Sequence, residues 1–230
     1  MKYLGYILAM ISIIANVGLR KLPSPYDNWA AGLLILTGLA GIASEWYKSA
    51  KLEKDIQRSA LHDLLNHILC SVRALQNRRD TNTLRINIME NKNNQLVIID
   101  QIGMSNDLDH DISFSLGQGC SGASAEINKI VVCDLTEVYD TTFELNCQKN
   151  NSKPPFGISK AHWEKTRDLK SLISVPIRHP KDPSKVIGIL NLDDKISIDE
   201  AQFQEDRITG FLEDCAPLCA EYIIRLGGGK

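Results

Sequence analysis

The chain has 230 residues, with 26 Lys and Arg against 28 Asp and Glu and a formal net charge of −2 at pH 7. That balance, with no basic tract interleaved with aromatics, leaves no footprint for a nucleic-acid partner. The six cysteines, at 70, 120, 133, 147, 215 and 219, contain no Cys-x-x-Cys pair, and no His at ligand spacing joins Cys215 and Cys219, so no metal site is expected.

Two apolar runs, Tyr3 to Leu19 and Trp29 to Ser44, open the chain, and neither carries a charge inside it. At a helical rise of about 1.5 Å per residue each reaches roughly 25 Å, and flanking aromatics extend them toward the roughly 30 Å of a bilayer core. A transmembrane helical hairpin over residues 1–47 is expected. A cleaved signal peptide fits less well, because the run is long and Ala15-Asn16-Val17 is a poor cleavage site. Buried core helices would show a polar stripe, which neither run has. Lys2, Lys48, Lys51, Lys54 and Arg58 outweigh Arg20 and Lys21 in the connecting loop, so both termini are expected on the cytoplasmic face of a cell membrane crossed twice. In that compartment the cysteines should be reduced. Thr37 with Gly41, and Ala40 with Ser44, have the small-residue spacing that permits close helix packing, within the hairpin or between subunits of a homo-oligomer.

A connecting helix is expected over 48–80. Leu61, Leu65, Ile68, Val72 and Leu75 repeat in a four-three pattern, widened by Leu64 and Leu69. The pattern fits either a coiled coil or a helix packed on its own domain. From residue 81 to 230 strand and turn signals alternate: Leu84 to Met89, a turn at 90–94, Gln95 to Asp100, Ile112 to Leu116, and Ile130 to Cys133. After a long polar stretch come Ser171 to Ile177 and Lys185 to Leu192, separated by the turn His179 to Pro183. An amphipathic helix from Asp199 to Arg225, with Phe203, Phe211, Cys215, Leu218 and Tyr222 on its buried face, closes an α+β domain.

Gly117-Gln118-Gly119-Cys120-Ser121-Gly122 matches a dinucleotide-binding fingerprint in letters. That fingerprint must open a helix long enough to cross back to a parallel strand, and too little chain separates Gly122 from the next strand. The glycines are expected to shape a tight turn into a short helix.

That segment, followed by Ile130-Val131-Val132-Cys133-Asp134, Ser171 to Ile177 and Val186 to Asp193, resembles in order and spacing the successive motifs of the GAF domain family, over about 80–226. The resemblance implies a six-stranded antiparallel sheet with flanking helices, and a small-molecule pocket on its front under the segment linking strands four and five. Within that segment and near the strand ends, Asp134, His162, Trp163, Thr166, Arg167 and Ser174 offer an aromatic plate, hydroxyls and both charges. Trp163 suits stacking on a flat ring, and Arg167 suits pairing with phosphate or carboxylate. Asp134 suits an amine or a ribose hydroxyl, with helix capping or an ion pair as its competing role. Asp134, Trp163, Thr166, Arg167 and Ser174 are the expected ligand-binding residues.

No catalytic residue and no cofactor are expected. One branch of the GAF family reduces free methionine sulfoxide with a Cys directly before the last glycine of this turn. Here Ser121 holds that slot and Cys120 precedes it. The Asn-Lys-Phe-Asp motif of cyclic-nucleotide-binding GAF domains is not recognisable, and no cysteine has a bilin-attachment context. With no output domain after residue 226, the expectation is a membrane-anchored cytoplasmic sensor, of bacterial source, relaying a small ligand to a protein partner or to its own hairpin. The alternatives are a two-span membrane-perturbing effector gated by a nucleotide and a methionine sulfoxide reductase.

Overall fold

The computed structural model describes residues 27–77, 83–104, 112–151 and 153–227. The chain divides into two units, residues 1–55 and 56–230, with the boundary inside the expected connecting helix. Helix α1 (Asp27–Leu75) runs through it for 49 residues. In the first unit Leu39, Trp46, Tyr47 and Leu52 are exposed on α1, and Lys48 bonds to Glu45 one turn away. Among the described residues no helix is long and apolar enough to cross a membrane. The expected hairpin finds no support there. Its first run lies outside the described residues, and its second opens a helix that continues past Glu45 through Lys48, Lys51, Glu53, Lys54, Asp55 and Arg58.

In the second unit the four-three stripe of α1 packs on its own domain: Leu61, Leu65, Ile68, Leu69 and Val72 are buried. The helix stops at Asn77, whose left-handed backbone (φ 52°) ends it. Gln76 Nε2 donates to Ala201 O at 2.6 Å and fixes that end.

Strands β1 (Arg85–Lys92) and β2 (Gln95–Ile102) form a hairpin. Its turn is tighter than the five residues expected, because Asn93 and Asn94 both take positive φ (53° and 65°) and close it in two. The chain continues through β3 (Ser113–Ser115), α2 (Gly119–Ile127), β4 (Val131–Asp134), α3 (Thr136–Tyr139), α4 (Phe143–Lys149) and α5 (Lys160–Thr166). Then follow β5 (Ser171–His179), β6 (Asp182–Asp194), α6 (Ile198–Ala201) and α7 (Asp206–Gly227). The six strands make one antiparallel sheet in the order β3-β2-β1-β6-β5-β4. This is the α+β architecture expected. No parallel pair exists among the described strands, so the glycine segment leads no nucleotide-type crossover.

Alternation in the strands divides the core. Ile86, Ile88, Ile173, Val175, Ile177, Leu190 and Leu192 cover the back of the sheet under α1 and α7. Met89, Leu96, Val186 and Ile189 form a smaller cluster with Ala125 of α2 on the front. The terminal helix differs from expectation. It breaks at Gln202, which is left-handed (φ 56°), to seat Phe203 at 0% exposure. Its buried stripe is Ile208, Leu212, Cys215, Cys219 and Ile223, while Leu218 is 51% exposed. The stripe through small Cys and Ala residues lets α7 approach the sheet more closely than the bulkier stripe through Phe211 and Leu218 would.

Candidate functional site

Front-facing positions of β1 and β6 are polar where the back is aliphatic. Arg85, Asn87 and Met89 alternate with Ile86 and Ile88, and Asn191 and Asp193 alternate with Leu190 and Leu192. Antiparallel register sets Arg85 opposite Asp193, and Asn87 opposite Asn191. Arg85 Nε bonds to Asp193 Oδ1 at 2.5 Å, with both side chains largely buried. A second row crosses the sheet through Gln101, Asn87, Asn191 and Ser174, each the register neighbour of the next.

Asn191 is the hub of that row. Its Oδ1 accepts from Ser174 Oγ at 2.7 Å and from Ser121 Oγ at 3.0 Å. Its Nδ2 donates to Asn87 Oδ1 at 2.9 Å. Asn87, 5% exposed, keeps an Nδ2 donor with no partner among the described residues. Gln101 buries both amide atoms without a hydrogen-bond partner.

Above these rows lies a cavity of about 70 Å³. That is several times the roughly 10–15 Å³ one water requires, so it fits a small metabolite. Arg85, Asn87, Ser121, Asn191 and Asp193 supply the polar floor. Met89, Ile98, Phe114 and Leu172 supply apolar walls, and Tyr139, Phe156, Ile158, Thr166 and Leu169 come from the segment between β4 and β5. That segment therefore roofs a front-face cavity.

Its closure has local causes. Ser159 caps α5 by accepting from His162 N at 3.3 Å. Trp163, buried, packs its ring on Tyr139 at 4.4 Å and on Phe143 at 5.7 Å, gathering the three helices. Thr166 Oγ1 lies 2.9 Å from His162 O, to which it can donate, and shares a hydrogen bond of 2.6 Å with Tyr139 Oη in which either hydroxyl can be the donor. Burial pushes the Tyr139 phenol above its usual range; the Thr166 bond opposes this and the Asp193 charge adds to it. Tyr139 is therefore a neutral phenol near neutral pH.

The glycine turn forms the remaining wall. Gly117 N donates to Gly122 O at 2.9 Å, and both Gly117 and Gly119 hold positive φ. At Gly122 even a Cβ would meet Ser115 O at 2.2 Å. Gln118 ties the turn to the roof segment: its Oε1 accepts from Ser115 N and its Nε2 donates to Gly157 O, each at 3.0 Å.

Of the expected ligand residues, Thr166 lines the cavity. Ser174 lies beneath it, one bond removed through Asn191. Trp163 stands behind Tyr139 rather than at the cavity surface. Asp134 is exposed and takes its competing role, accepting from Thr136 N at 3.0 Å at the start of α3. Arg167 is the C-cap of α5, its side chain 70% exposed, outside the cavity lining. His162 keeps a buried Nδ1 without a partner beside Phe114, at 5.6 Å between rings.

The cysteines depart from the expectation of reduced thiols. Cys120 and Cys133 form a disulfide across 13 residues, with Cα atoms 6.7 Å apart. No local spacing announces it; β4 and the first turn of α2 meet only in the fold. Cys120 lines the cavity. Cys70, Cys147, Cys215 and Cys219 are free, and burial pushes the Cys219 thiol up to about 12. Among the described residues no cluster of His, Cys, Asp or Glu could hold a metal ion.

No protein-family model and no curated protein matches the chain. Solved structures do. The GAF domain region of a Geobacter sulfurreducens PCA protein matches with a TM-score of 0.52 at 14% identity, over 75% of this chain and 96% of that one. The GAF domain of an Acinetobacter phosphoenolpyruvate-protein phosphotransferase matches with 0.48 at 15%, over 81% and 96%. The type II free methionine-R-sulfoxide reductase from Thermoplasma acidophilum matches with 0.49 at 16%, over 74% and 94%. At these identities the likeness concerns the fold, which is GAF-like.

Proposed function

We propose that this GAF-like domain is a sensor for a compact ligand that carries no net charge, an amide-bearing molecule or a zwitterion, bound in the front cavity. The observation that supports this reading is the floor. Among the described residues the cation and the carboxylate that line the cavity, Arg85 and Asp193, are paired with each other, and an amide donor on Asn87 adjoins them. A phosphorylated ligand would bring charge to a floor that already neutralises its own, and among the described residues no second cation lines the space. A zwitterion, in contrast, presents one charge to each partner. The cavity volume sets the size.

The apolar runs at 3–19 and 29–44 support membrane tethering of the sensor, with both termini in the cytoplasm and a homo-oligomer or a protein partner as the output. Flotation of the full chain with lipid vesicles tests the tether; protein left at the bottom of the gradient removes it. A thermal-shift series on the full chain with nicotinamide, with zwitterionic amino acids and with AMP tests the ligand class. At 100 times its dissociation constant a ligand stabilises by about 2.7 kcal/mol. A shift with AMP alone would overturn the neutral-ligand reading in favour of the nucleotide-gated membrane effector, for which dye leakage from vesicles is the next assay.

The disulfide on the cavity wall favours one second reading, reduction of free methionine sulfoxide by the Cys120 thiol. Multiple turnovers with dithiothreitol as reductant, lost in Cys120→Ser, would support it. The absence of turnover retires it.

A further inference from the structure

We infer that Cys120 and Cys133 are a reversible thiol–disulfide site opening onto the cavity, oxidised by small hydroperoxides, reduced by small thiols, and controlling how firmly the cavity mouth is closed. The inference rests on the reading of the cavity as a ligand site and adds its regulation.

Three features of the fold carry it. The bond is reachable, since Cys120 lines the cavity and Cys133 is only partly buried, so reagents of a few atoms have a path to the sulfurs. Cys120, at 8% exposure, is no more open to bulk solvent than Cys215 at 7%; its place in the cavity lining, which includes neither Cys215 nor Cys219, is what sets it apart. Cys120 also lies in the first turn of α2, where backbone N–H groups lack helical partners and favour negative charge on a nearby sulfur. Gln118, the N-cap residue, places no side-chain acceptor on that turn, because its amide is committed to Ser115 N and Gly157 O.

The third feature is what the bond holds. Strand β4 is an edge strand of four residues, paired only with β5. The residues that follow it, Leu135 and Tyr139, line the cavity. Cys120, Leu135 and Leu169 form a small cluster with Val131, Cys133, Tyr139 and Leu172. The disulfide is the covalent link between this roof and the glycine turn, and α2 is held independently further along, where Ser124 Oγ donates to Lys129 O at 2.7 Å with Ser174 O beside it at 3.1 Å. Opening the bond frees the β4 end while α2 stays seated.

The chemistry balances with named reagents. The Cys120 thiolate attacks the terminal oxygen of a hydroperoxide; the O–O bond breaks, an alcohol leaves and a sulfenic acid forms. The Cys133 thiol displaces that oxygen as water and the S–S bond forms, so two thiols and one hydroperoxide give one disulfide, one alcohol and one water. Two molecules of a small thiol, becoming their own disulfide, return both cysteines to thiols.

The test uses the full chain without a cavity ligand, so it is readable whatever the ligand screen shows. Native protein is treated with glutathione, alkylated and mapped by mass, then re-oxidised with one equivalent of tert-butyl hydroperoxide. Cys120 and Cys133 should become alkylated together on reduction and be protected again after oxidation, with exposed Cys70 reacting in both states. Amide exchange over 131–139 and 156–169 should be faster by about tenfold or more in the reduced form, with β1 and β6 unchanged. The double substitution Cys120→Ser/Cys133→Ser should exchange like the reduced protein and ignore hydroperoxide; if it does not fold, the wild-type measurements decide. A bond that yields to glutathione only after unfolding is a structural staple and overturns the proposal. Equal exchange in the two states overturns its control of the mouth.

Discussion

Replacing Asn191 by Ala removes the centre of the polar row. The side chain is 2% exposed and makes three hydrogen bonds, from Ser174, from Ser121 and to Asn87. Each is worth about 0.5–1.5 kcal/mol net, and the partners left behind are buried too, with Ser174 at 0% and Ser121 at 4% exposure. The serine hydroxyls rotate and recover part of the loss, whereas the Asn87 carbonyl opposite has no such freedom. The expected cost is about 3 kcal/mol, read as a lower urea midpoint with unchanged slope. Ser174→Ala should cost about 1 kcal/mol, and the double substitution should fall short of the sum by about 1 kcal/mol, because both remove the same bond. A loss below about 1 kcal/mol for Asn191→Ala, or strict additivity with Ser174→Ala, would refute the row as a cooperative network.

Gly122→Ala should cost about 2–3 kcal/mol in the same denaturation assay, because the obstacle, Ser115 O at 2.2 Å, is backbone and the turn must shift. With a ligand in hand, Asn87→Leu should weaken binding at least about tenfold by removing the cavity amide. Arg167→Ala should change it less than about twofold, both variants being read by isothermal titration, since that side chain is solvated. Alkaline stability follows from Cys219, whose thiol is raised from 9.0 to about 12 by burial, with the neighbouring Cys215 adding. The folded protein keeps this proton where the unfolded chain loses it, so its contribution is complete below about pH 9 and is lost as pH rises toward 12. Melting temperature measured from pH 8 to 11 should fall less steeply in Cys219→Ala.

The strands were legible because the sheet back is continuous: Ile86, Ile88, Leu190 and Leu192 sit at period two, and turn residues bound each run. The glycine turn was legible from its spacing. The site was less so. Polar residues at 85, 87, 191 and 193 alternate visibly with apolar ones, and that alternation marks a polar face over a buried back. The charged residues expected from the linking segment and its edge, Asp134 and Arg167, are exposed in the fold. Pairing of Cys120 with Cys133, and the roles of Phe156 and Ile158 in the roof, depend on packing between elements distant in sequence, which no local pattern encodes. The stripe of α7 was ambiguous because two stripes share Cys215, and only the sheet selects between them.

One irregularity in the first hairpin decides which side of the sheet carries a carboxylate. Register slips between Ile88 and Met89, so that Met89 faces Ile98 but Ile88 faces Asp100, with Ile99 taken up as a bulge. Asp100 thereby turns to the helix side and meets His62 Nδ1 at 3.1 Å, while Gln101 joins the polar row beside Asn87. Had the ladder run on without the slip, Asp100 would stand opposite Asn87 and Gln101 opposite Ile86. A fixed carboxylate would then lie in the floor and an amide in the aliphatic core. The inserted residue acts as a charge filter set in the backbone: it keeps the Asp100 carboxylate off the cavity side, and a variant that straightened the hairpin would set that carboxylate opposite Asn87.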